Sequence, residues 1–215
     1  MLSVIVPTVN EATNLKILLP QLKNECDEIV VVDDASTDET VQVANSFECK
    51  VIQRPGLLGC GTAVYDGVKA ASHEVVAIMD ADFSHPLKML RCRSLVEQDL
   101  VDIIKFSRFA AGGGMEDKFR YYLFRIYNLI MSCILGVRSK EITGGFIISK
   151  KECFNYQKQG NTEWSLEYMR HNRFKRIAEI PYFYATRKTG TSKNTDLKRI
   201  FLYLISAIKF RFTIS

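Results

Sequence analysis

Asp80-Ala81-Asp82 places two carboxylates either side of one small residue, directly after the apolar run Val75-Val76-Ala77-Ile78-Met79. Hard oxygen ligands at the carboxyl end of a buried strand suit Mg²⁺ or Mn²⁺ shared with a diphosphate. Such an ion neutralises phosphate oxygens and stabilises a departing diphosphate. Taken alone the motif is weak, because a solvated turn after a strand often has the same letters. A second acidic pair strengthens it. Val30-Val31-Val32 runs into Asp33-Asp34, whose carboxylates are suited to accept hydrogen bonds from a nucleobase or ribose.

Strands must deliver both pairs. Residues 2–6 and 28–32 are short apolar runs, the first ended by Pro7 and the second by the aspartates. Between them, residues 14–26 set Leu15, Leu18, Leu19 and Leu22 on one helical face, with Asn10 or Thr13 as the expected cap. Strand, amphipathic helix and strand make a βαβ unit, hence a parallel sheet covered by helices. The alternation continues with helices expected over 37–47, 62–71 and 86–98, and strands over 50–53, 74–79 and 101–106. Ser36 or Thr37 is the expected cap of the 37–47 helix. Open α/β sheets bind ligands beyond the carboxyl ends of their strands. Glu11, Asp33, Asp34, Asp80 and Asp82 all fall at such ends, so one crevice is expected to gather them.

After Arg108 the texture changes. Ala110-Ala111-Gly112-Gly113-Gly114 reads as a loop, and 119–135 as a long apolar and aromatic segment holding Arg120 and Arg125. Residues 142–149 look strand-like around Gly144-Gly145, 164–171 helical, and 174–184 a strand region broken by Pro181. With no internal repeat or low-complexity linker, one domain over 1–215 is expected: a nucleotide and metal half at 1–107, an acceptor half at 108–198, and a hydrophobic and basic tail at 199–215.

With 47% apolar and 25% charged residues, the 215-residue chain has the composition of a folded domain, not a disordered one. A net charge of +5 is too small for a dedicated nucleic-acid binder. Its distribution is uneven, with most carboxylates in the first hundred residues and basic side chains gathered later, which suits a phosphate-bearing ligand shared between the halves. Six cysteines without a CxxC read as reduced thiols, and three dispersed histidines form no metal cluster. No basic leader opens the chain and no stretch of 18 uncharged apolar residues occurs, so a cytoplasmic location is expected. The run 199–212, apolar with basic residues at its edges, suits a bilayer interface, a buried helix or a subunit contact.

Ser3-Val4-Ile5-Val6-Pro7-Thr8-Val9-Asn10-Glu11, Val31-Val32-Asp33-Asp34-Ala35-Ser36 and Met79-Asp80-Ala81-Asp82-Phe83-Ser84-His85-Pro86 together resemble the inverting family 2 glycosyltransferases. The likeness is to the branch of dolichyl-phosphate mannose synthases and related polyprenyl-phosphate sugar transferases. It extends through Arg54-Pro55, Leu58-Gly59-Cys60-Gly61-Thr62-Ala63, Thr143-Gly144-Gly145-Phe146 and Arg187-Lys188-Thr189-Gly190-Thr191-Ser192-Lys193, essentially the whole chain.

The resemblance implies a GT-A fold, an α/β architecture with a mostly parallel central sheet and helices on both faces. It implies inverting transfer of a sugar from a nucleotide-diphospho-sugar to a polyprenyl phosphate, assisted by Mg²⁺ or Mn²⁺. Pro7, Val9 and Glu11 then occupy the first nucleotide-binding motif, although the family commonly has Tyr where Val9 stands. Asp33 and Asp34 match the nucleoside-binding pair, and Asp80, Ala81 and Asp82 the metal and diphosphate motif, with Ser84 as a further polar metal contact. Arg108, Arg120 and Arg125 match basic positions associated with the acceptor phosphate, while Arg187 and Lys193 match a mobile basic loop near both phosphates. Asp82, Arg125, Arg187 and Lys193 are thus the side chains expected to act on the transition state. The family's later acidic motif has two candidates, Glu163 and Glu167, each equally compatible with a solvated helix face.

A phosphate monoester is largely ionised at neutral pH, so as a nucleophile it needs no strong general base. A second half with several arginines but no clear catalytic Asp or His fits that. A lipid acceptor implies peripheral contact with the cytoplasmic face of a membrane, or with a membrane-protein partner. Three alternatives stay open: transfer to a hydroxyl of a glycan or other soluble acceptor, nucleotidyl transfer, and nucleotide-sugar binding without catalysis. Neither donor sugar nor nucleobase is encoded in any motif above.

Overall fold

Side chains alternate along strand β1 (Leu2–Thr8), and the alternation decides the layering. Leu2, Val4 and Val6 enter one core with Leu15, Leu18, Leu19 and Leu22 of helix α1 (Ala12–Leu22). Ile5 enters the opposite core with Ala63, Val64 and Val68 of helix α3 (Cys60–Ala70). Strand β2 (Glu28–Asp33) divides likewise, with Val31 on the α1 side and Val30 and Val32 on the α3 side. A strand apolar on both faces must be covered on both, which is why these runs lack polar alternation. Each fully buried leucine of α1 contributes about 1.5–3 kcal/mol relative to exposure. Gly67 brings α3 close to the sheet, since a Cβ there would collide with Ile5 and lie 3.0 Å from Val32 Cγ2.

The computed structural model describes residues 1–155, 164–184, 204–208 and 211–212. After β2 come helix α2 (Thr40–Ser46), strand β3 (Lys50–Gln53), α3 and strand β4 (Val75–Ile78). A 3₁₀ segment (Leu87–Arg93) leads into the single turn α4 (Ser94–Glu97), followed by β5 (Ile103–Ser107), β6 (Gly114–Met115) and helix α5 (Lys118–Leu135). Strand β7 (Ile147–Lys150), a 3₁₀ turn (Lys151–Phe154), helix α6 (Trp164–His171), β8 (Ile177–Pro181) and β9 (Phe183–Tyr184) follow, and 204–208 is helical. The seven-stranded sheet has the order β3-β2-β1-β4-β7-β5-β8, and β6 pairs with β9 apart from it. Among the described strands of this sheet, only β7 runs antiparallel to its neighbours. From β1 the chain winds outward to β2 and β3 on one side and then returns to β4 on the other. The crevice at that reversal is where ligands of such sheets bind.

Several local expectations are corrected. Neither Asn10 nor Thr13 caps α1; Glu11 stands at the cap without a side-chain bond. Asn10 instead adopts φ +56°. Its amide donates to Ser36 Oγ at 2.8 Å and its Oδ1 accepts from Thr37 N at 2.8 Å, stitching the loops after β1 and β2 together. Neither Ser36 nor Thr37 caps the next helix, which begins only at Thr40. The segment 86–98 is mostly 3₁₀, and 142–146 is not strand. There, Asn128 Oδ1 accepts from Ile142 N at 2.7 Å and Glu141 Oε1 from Gly144 N at 3.0 Å, so side chains replace a ladder. The long apolar and aromatic segment, given no secondary structure from its sequence, is helix α5, with Asp117 accepting from Arg120 N at 3.0 Å and Gly136 at φ +64° ending it. No helix among the described residues is long and apolar enough to cross a membrane.

At the sheet end away from the crevice, Asp102 accepts from Arg176 N at 3.0 Å, Nε at 3.1 Å and Nη2 at 2.9 Å, with Lys150 Nζ at 2.9 Å. Hydrogen bonding to Arg176 holds the Asp102 carboxyl well below the usual carboxylate range, against the opposing effect of its burial. A carboxylate with a depressed folded-state pKa stabilises fully above its unfolded value of about 3.9, and that stabilisation is lost as pH falls through the folded value. Asp102→Asn should therefore cost about 1–3 kcal/mol in urea unfolding at pH 7. The gap to wild type should narrow at pH 3; a gap independent of pH contradicts the assignment.

Candidate active site

The acidic pairs leave the sheet on either side of β1. Asp34 N donates to Thr8 O at 2.9 Å and Met79 N to Ile5 O at 3.1 Å, extending both pairings to the strand ends. With one strand between them, the two segments emerge about 10 Å apart, a span suited to a nucleoside diphosphate lying across β1.

On the β4 side, the Asp80 carboxylate is 47% exposed while Asp82 is buried. Asp82 Oδ1 accepts from Ser84 N at 3.0 Å, closing a tight turn that leaves Phe83 at φ +63°. A bulky residue held in the left-handed region costs about 1–3 kcal/mol and persists where surrounding structure imposes it. Ser84 is itself buried, and its Oγ has no hydrogen-bond partner among the described residues. Two carboxylates and one orphaned hydroxyl on a single turn form a hard-oxygen set that fits Mg²⁺ or Mn²⁺. Among the described residues no group of three or more His, Cys, Asp or Glu gathers for a metal. Asp80, Asp82 and Ser84 would supply only part of such an ion's shell, the remainder coming from substrate phosphates and water.

His85, on the same turn, is buried; its Nδ1 accepts from Asp80 N at 3.1 Å and its ring stacks on Phe146 at 4.4 Å. Burial holds its pKa below the ordinary imidazole value, against the pull of Asp80 and Asp82.

On the β2 side both aspartates are buried and already engaged. Asp33 accepts from Ser36 N at 3.0 Å and from the Ser36 hydroxyl. Asp34 accepts from Arg54 Nη1 at 2.8 Å, Leu58 N at 2.9 Å and Gly59 N at 2.8 Å, tying the turn before α3 to the end of β2. Arg54 also reaches Thr62. Pro7 near the end of β1 and Val9 and Glu11 on the loop that follows are half-buried, with Glu11 Oε2 accepting from Asn14 Nδ2 at 2.5 Å.

The second-half arginines do not form one cluster. Arg108, just past β5, is held by Glu141, with Nε 2.9 Å from Oε2 and Nη2 2.6 Å from Oε1. Glu141 is fully buried. Arg108 lies 5.8 Å and Arg120 5.9 Å from the Phe124 ring, so these two share one aromatic platform. Arg125 is exposed, about 140° around the helix from Arg120 by helical geometry. Glu167 lies in the core and not on a solvated helix face. Arg187, Lys193 and Glu163 lie outside the described residues.

Three site-side residues carried no role in the sequence reading: Lys105, Glu141 and His85. Lys105 is buried in β5 and its amine reaches Gly144 O. Its signal was a lysine inside Ile103-Ile104-Lys105-Phe106, since lysine is almost never buried without a partner. Glu141 had only its nearness to Gly144-Gly145.

The family model described as glycosyl transferase family 2 matches residues 3–188. A dolichol-phosphate mannosyltransferase of Pyrococcus furiosus is 31% identical over 216 residues, covering 94% of this chain. The chain spans 61% of that relative's length. A polyprenol monophosphomannose synthase of Mycolicibacterium smegmatis is 28% identical over 211 residues, covering 88% of this chain and 79% of that protein. Among solved structures, glucosyl-3-phosphoglycerate synthase from Mycobacterium tuberculosis with Mn²⁺, UDP and phosphoglyceric acid superposes with a TM-score of 0.71 at 17% identity, over 99% of this chain and 78% of that one. The same enzyme with Mg²⁺ and UDP gives 0.71 at 18%, over 97% and 79%. These likenesses show the GT-A fold.

Proposed function

The chain belongs to glycosyl transferase family 2, and from that premise we propose that it moves a sugar from a nucleotide-diphospho-sugar onto an acceptor bearing a phosphate. The observation that carries this is the turn after β4, which holds within five residues a half-exposed Asp80, a buried Asp82 and a buried Ser84 hydroxyl with no hydrogen-bond partner among the described residues. Asp80, Asp82 and Ser84 would hold Mg²⁺ or Mn²⁺, which supplies positive charge to the departing diphosphate. Asp33 and Asp34 on the other side of β1, with Pro7, Val9 and Glu11 at and just past the end of β1, would bind the nucleoside, while Ala81, buried in the core, separates the two carboxylates of the metal turn. Arg120, beside the Glu141-paired Arg108 on the Phe124 ring, would address the acceptor phosphate, Arg125 is set apart from both, and Arg187 and Lys193 are proposed as further phosphate ligands. Charge that grows on the leaving group is bound more tightly in the transition state than in the substrate, which is what accelerates the step.

Two acceptors share this chemistry. One solved neighbour holds phosphoglyceric acid, which supports a small soluble acceptor whose hydroxyl attacks and whose phosphate binds a basic side chain. A separate observation favours a polyprenyl phosphate. Phe119, Tyr122, Ile126 and Leu129 are 78%, 61%, 60% and 65% exposed along one face of α5. That helix carries Lys118, Arg120 and Arg125 and no acidic residue, so the face matches an anionic lipid surface. The sequence relatives, named for dolichol and polyprenol phosphates, point the same way.

The experiment supplies UDP-glucose and GDP-mannose, each labelled in the sugar, with Mn²⁺ and one of three acceptors: phosphoglyceric acid, polyprenyl phosphate in vesicles, or a neutral glycan. Label on either phosphate-bearing acceptor supports the proposal and selects between the two. Label on the neutral glycan alone overturns it.

A further inference from the structure

We propose that His85 is a positioning residue that fixes the Asp80 carboxylate for its metal; the inference rests on the metal-assisted transfer reading above. Strand β4 ends at Ile78, so the Asp80 peptide N–H has passed beyond the sheet ladder. His85 Nδ1 accepts that N–H at 3.1 Å, five residues along a turn that already contains Asp82 and Ser84. An accepting Nδ1 places the ring proton on Nε2. Nε2 stands 3.9 Å from Asp80 Oδ2, too far for a hydrogen bond but close enough to bias the carboxylate's orientation.

The ring cannot swing away. Phe146 stacks on it at 4.4 Å with 7° between the planes, and Tyr182 closes one edge at 6.3 Å. Phe146 in turn stacks on Phe106 of β5 at 4.1 Å. An apolar ring at position 85 would fill the same space and leave the Asp80 N–H without its acceptor. A histidine here therefore does more than fill the core: it fixes the backbone from which a half-exposed ligand side chain projects. Groups that orient a metal ligand from behind typically change affinity 10–100-fold when removed.

Two substitutions divide the contributions. His85→Asn keeps a carbonyl acceptor near the Nδ1 position and loses the stacked ring, whereas His85→Phe keeps the ring and loses the acceptor. With UDP present, His85→Phe should weaken Mn²⁺ binding, read by electron paramagnetic resonance, about 10–100-fold. His85→Asn should stay within about threefold of wild type. In metal-free protein, hydrogen exchange at the Asp80 amide should accelerate in His85→Phe and not in His85→Asn. Thermal unfolding separates a packing role, which would lower the midpoint in His85→Asn while leaving Mn²⁺ affinity intact in His85→Phe. That pattern overturns the proposal, as does equal loss of Mn²⁺ affinity in both variants. If wild type binds no Mn²⁺ with UDP or GDP, the transfer reading fails, and unchanged Asp80 exchange in His85→Phe remains the separate result that removes His85 from its place.

Discussion

Asp82→Asn should lower kcat/KM by about 10²–10³ at saturating Mn²⁺, equivalent to about 2.7–4 kcal/mol of transition-state stabilisation. The substitution keeps the side chain's size and keeps an oxygen to accept from Ser84 N, now at 3.0 Å. What it removes is one unit of negative charge from a buried position, where charge interactions are screened least. Asp80→Asn should be milder, because that carboxylate is half open to solvent and water can replace part of its contact. Steady-state kinetics with the best donor decide the matter. Turnover unchanged in Asp82→Asn, with the fold intact, would remove Asp82 from the metal site.

Glu141→Ala should destabilise the protein by about 3–5 kcal/mol, the usual result of leaving one member of a buried ion pair alone. Glu141 is fully buried and accepts from the Arg108 guanidinium through both oxygens, from Arg108 N at 3.3 Å and from Gly144 N at 3.0 Å. Truncating it strands a guanidinium among Phe109, Phe124 and Tyr184 and frees the 141–145 loop. Against a total stability of about 5–15 kcal/mol, that loss approaches unfolding in a marginal domain. The double substitution Arg108→Met with Glu141→Leu should recover most of the loss, since no charge is then left buried. Urea unfolding of the three variants tests this. A single-variant loss under about 1 kcal/mol would mean the pair is not buried as described.

The first half of the fold was legible because its signals are periodic. The leucines of α1 and the valines of β2 have one spacing that buries them, and the aspartates then fall at strand ends by topology alone. Loop chemistry was harder to read. Asn10, Ser36 and Asp38 are all residue types that cap helices, yet Asn10 and Ser36 bond from one loop to the other, and Asp38 serves the first amides of two helices at once, accepting from Ala12 N at 3.2 Å and Thr40 N at 3.0 Å, while neither Glu11 nor Glu39 at the cap positions makes a side-chain bond. Local preference offers several partners to each such side chain, and only the approach of β1 and β2 chooses among them.

The same limit applies to the site. Asp80 and Asp82 stand out as a pair, but the partners that hold the site lie far along the chain: Glu141 for Arg108, Phe146 for His85, Gly144 for Lys105. Antiparallel β7, inserted between β4 and β5, is what brings 141–146 beside both strand ends. No spacing in the sequence announces that insertion.

Calorimetric titration of UDP and GDP into the wild-type protein, with Mn²⁺ and with chelator, addresses the central claim most directly. If Asp80, Asp82 and Ser84 hold the ion that receives the diphosphate, one nucleoside diphosphate should bind at least about tenfold more tightly with Mn²⁺, and Asp82→Asn should abolish the difference. Binding of the same strength with and without the metal would contradict the account.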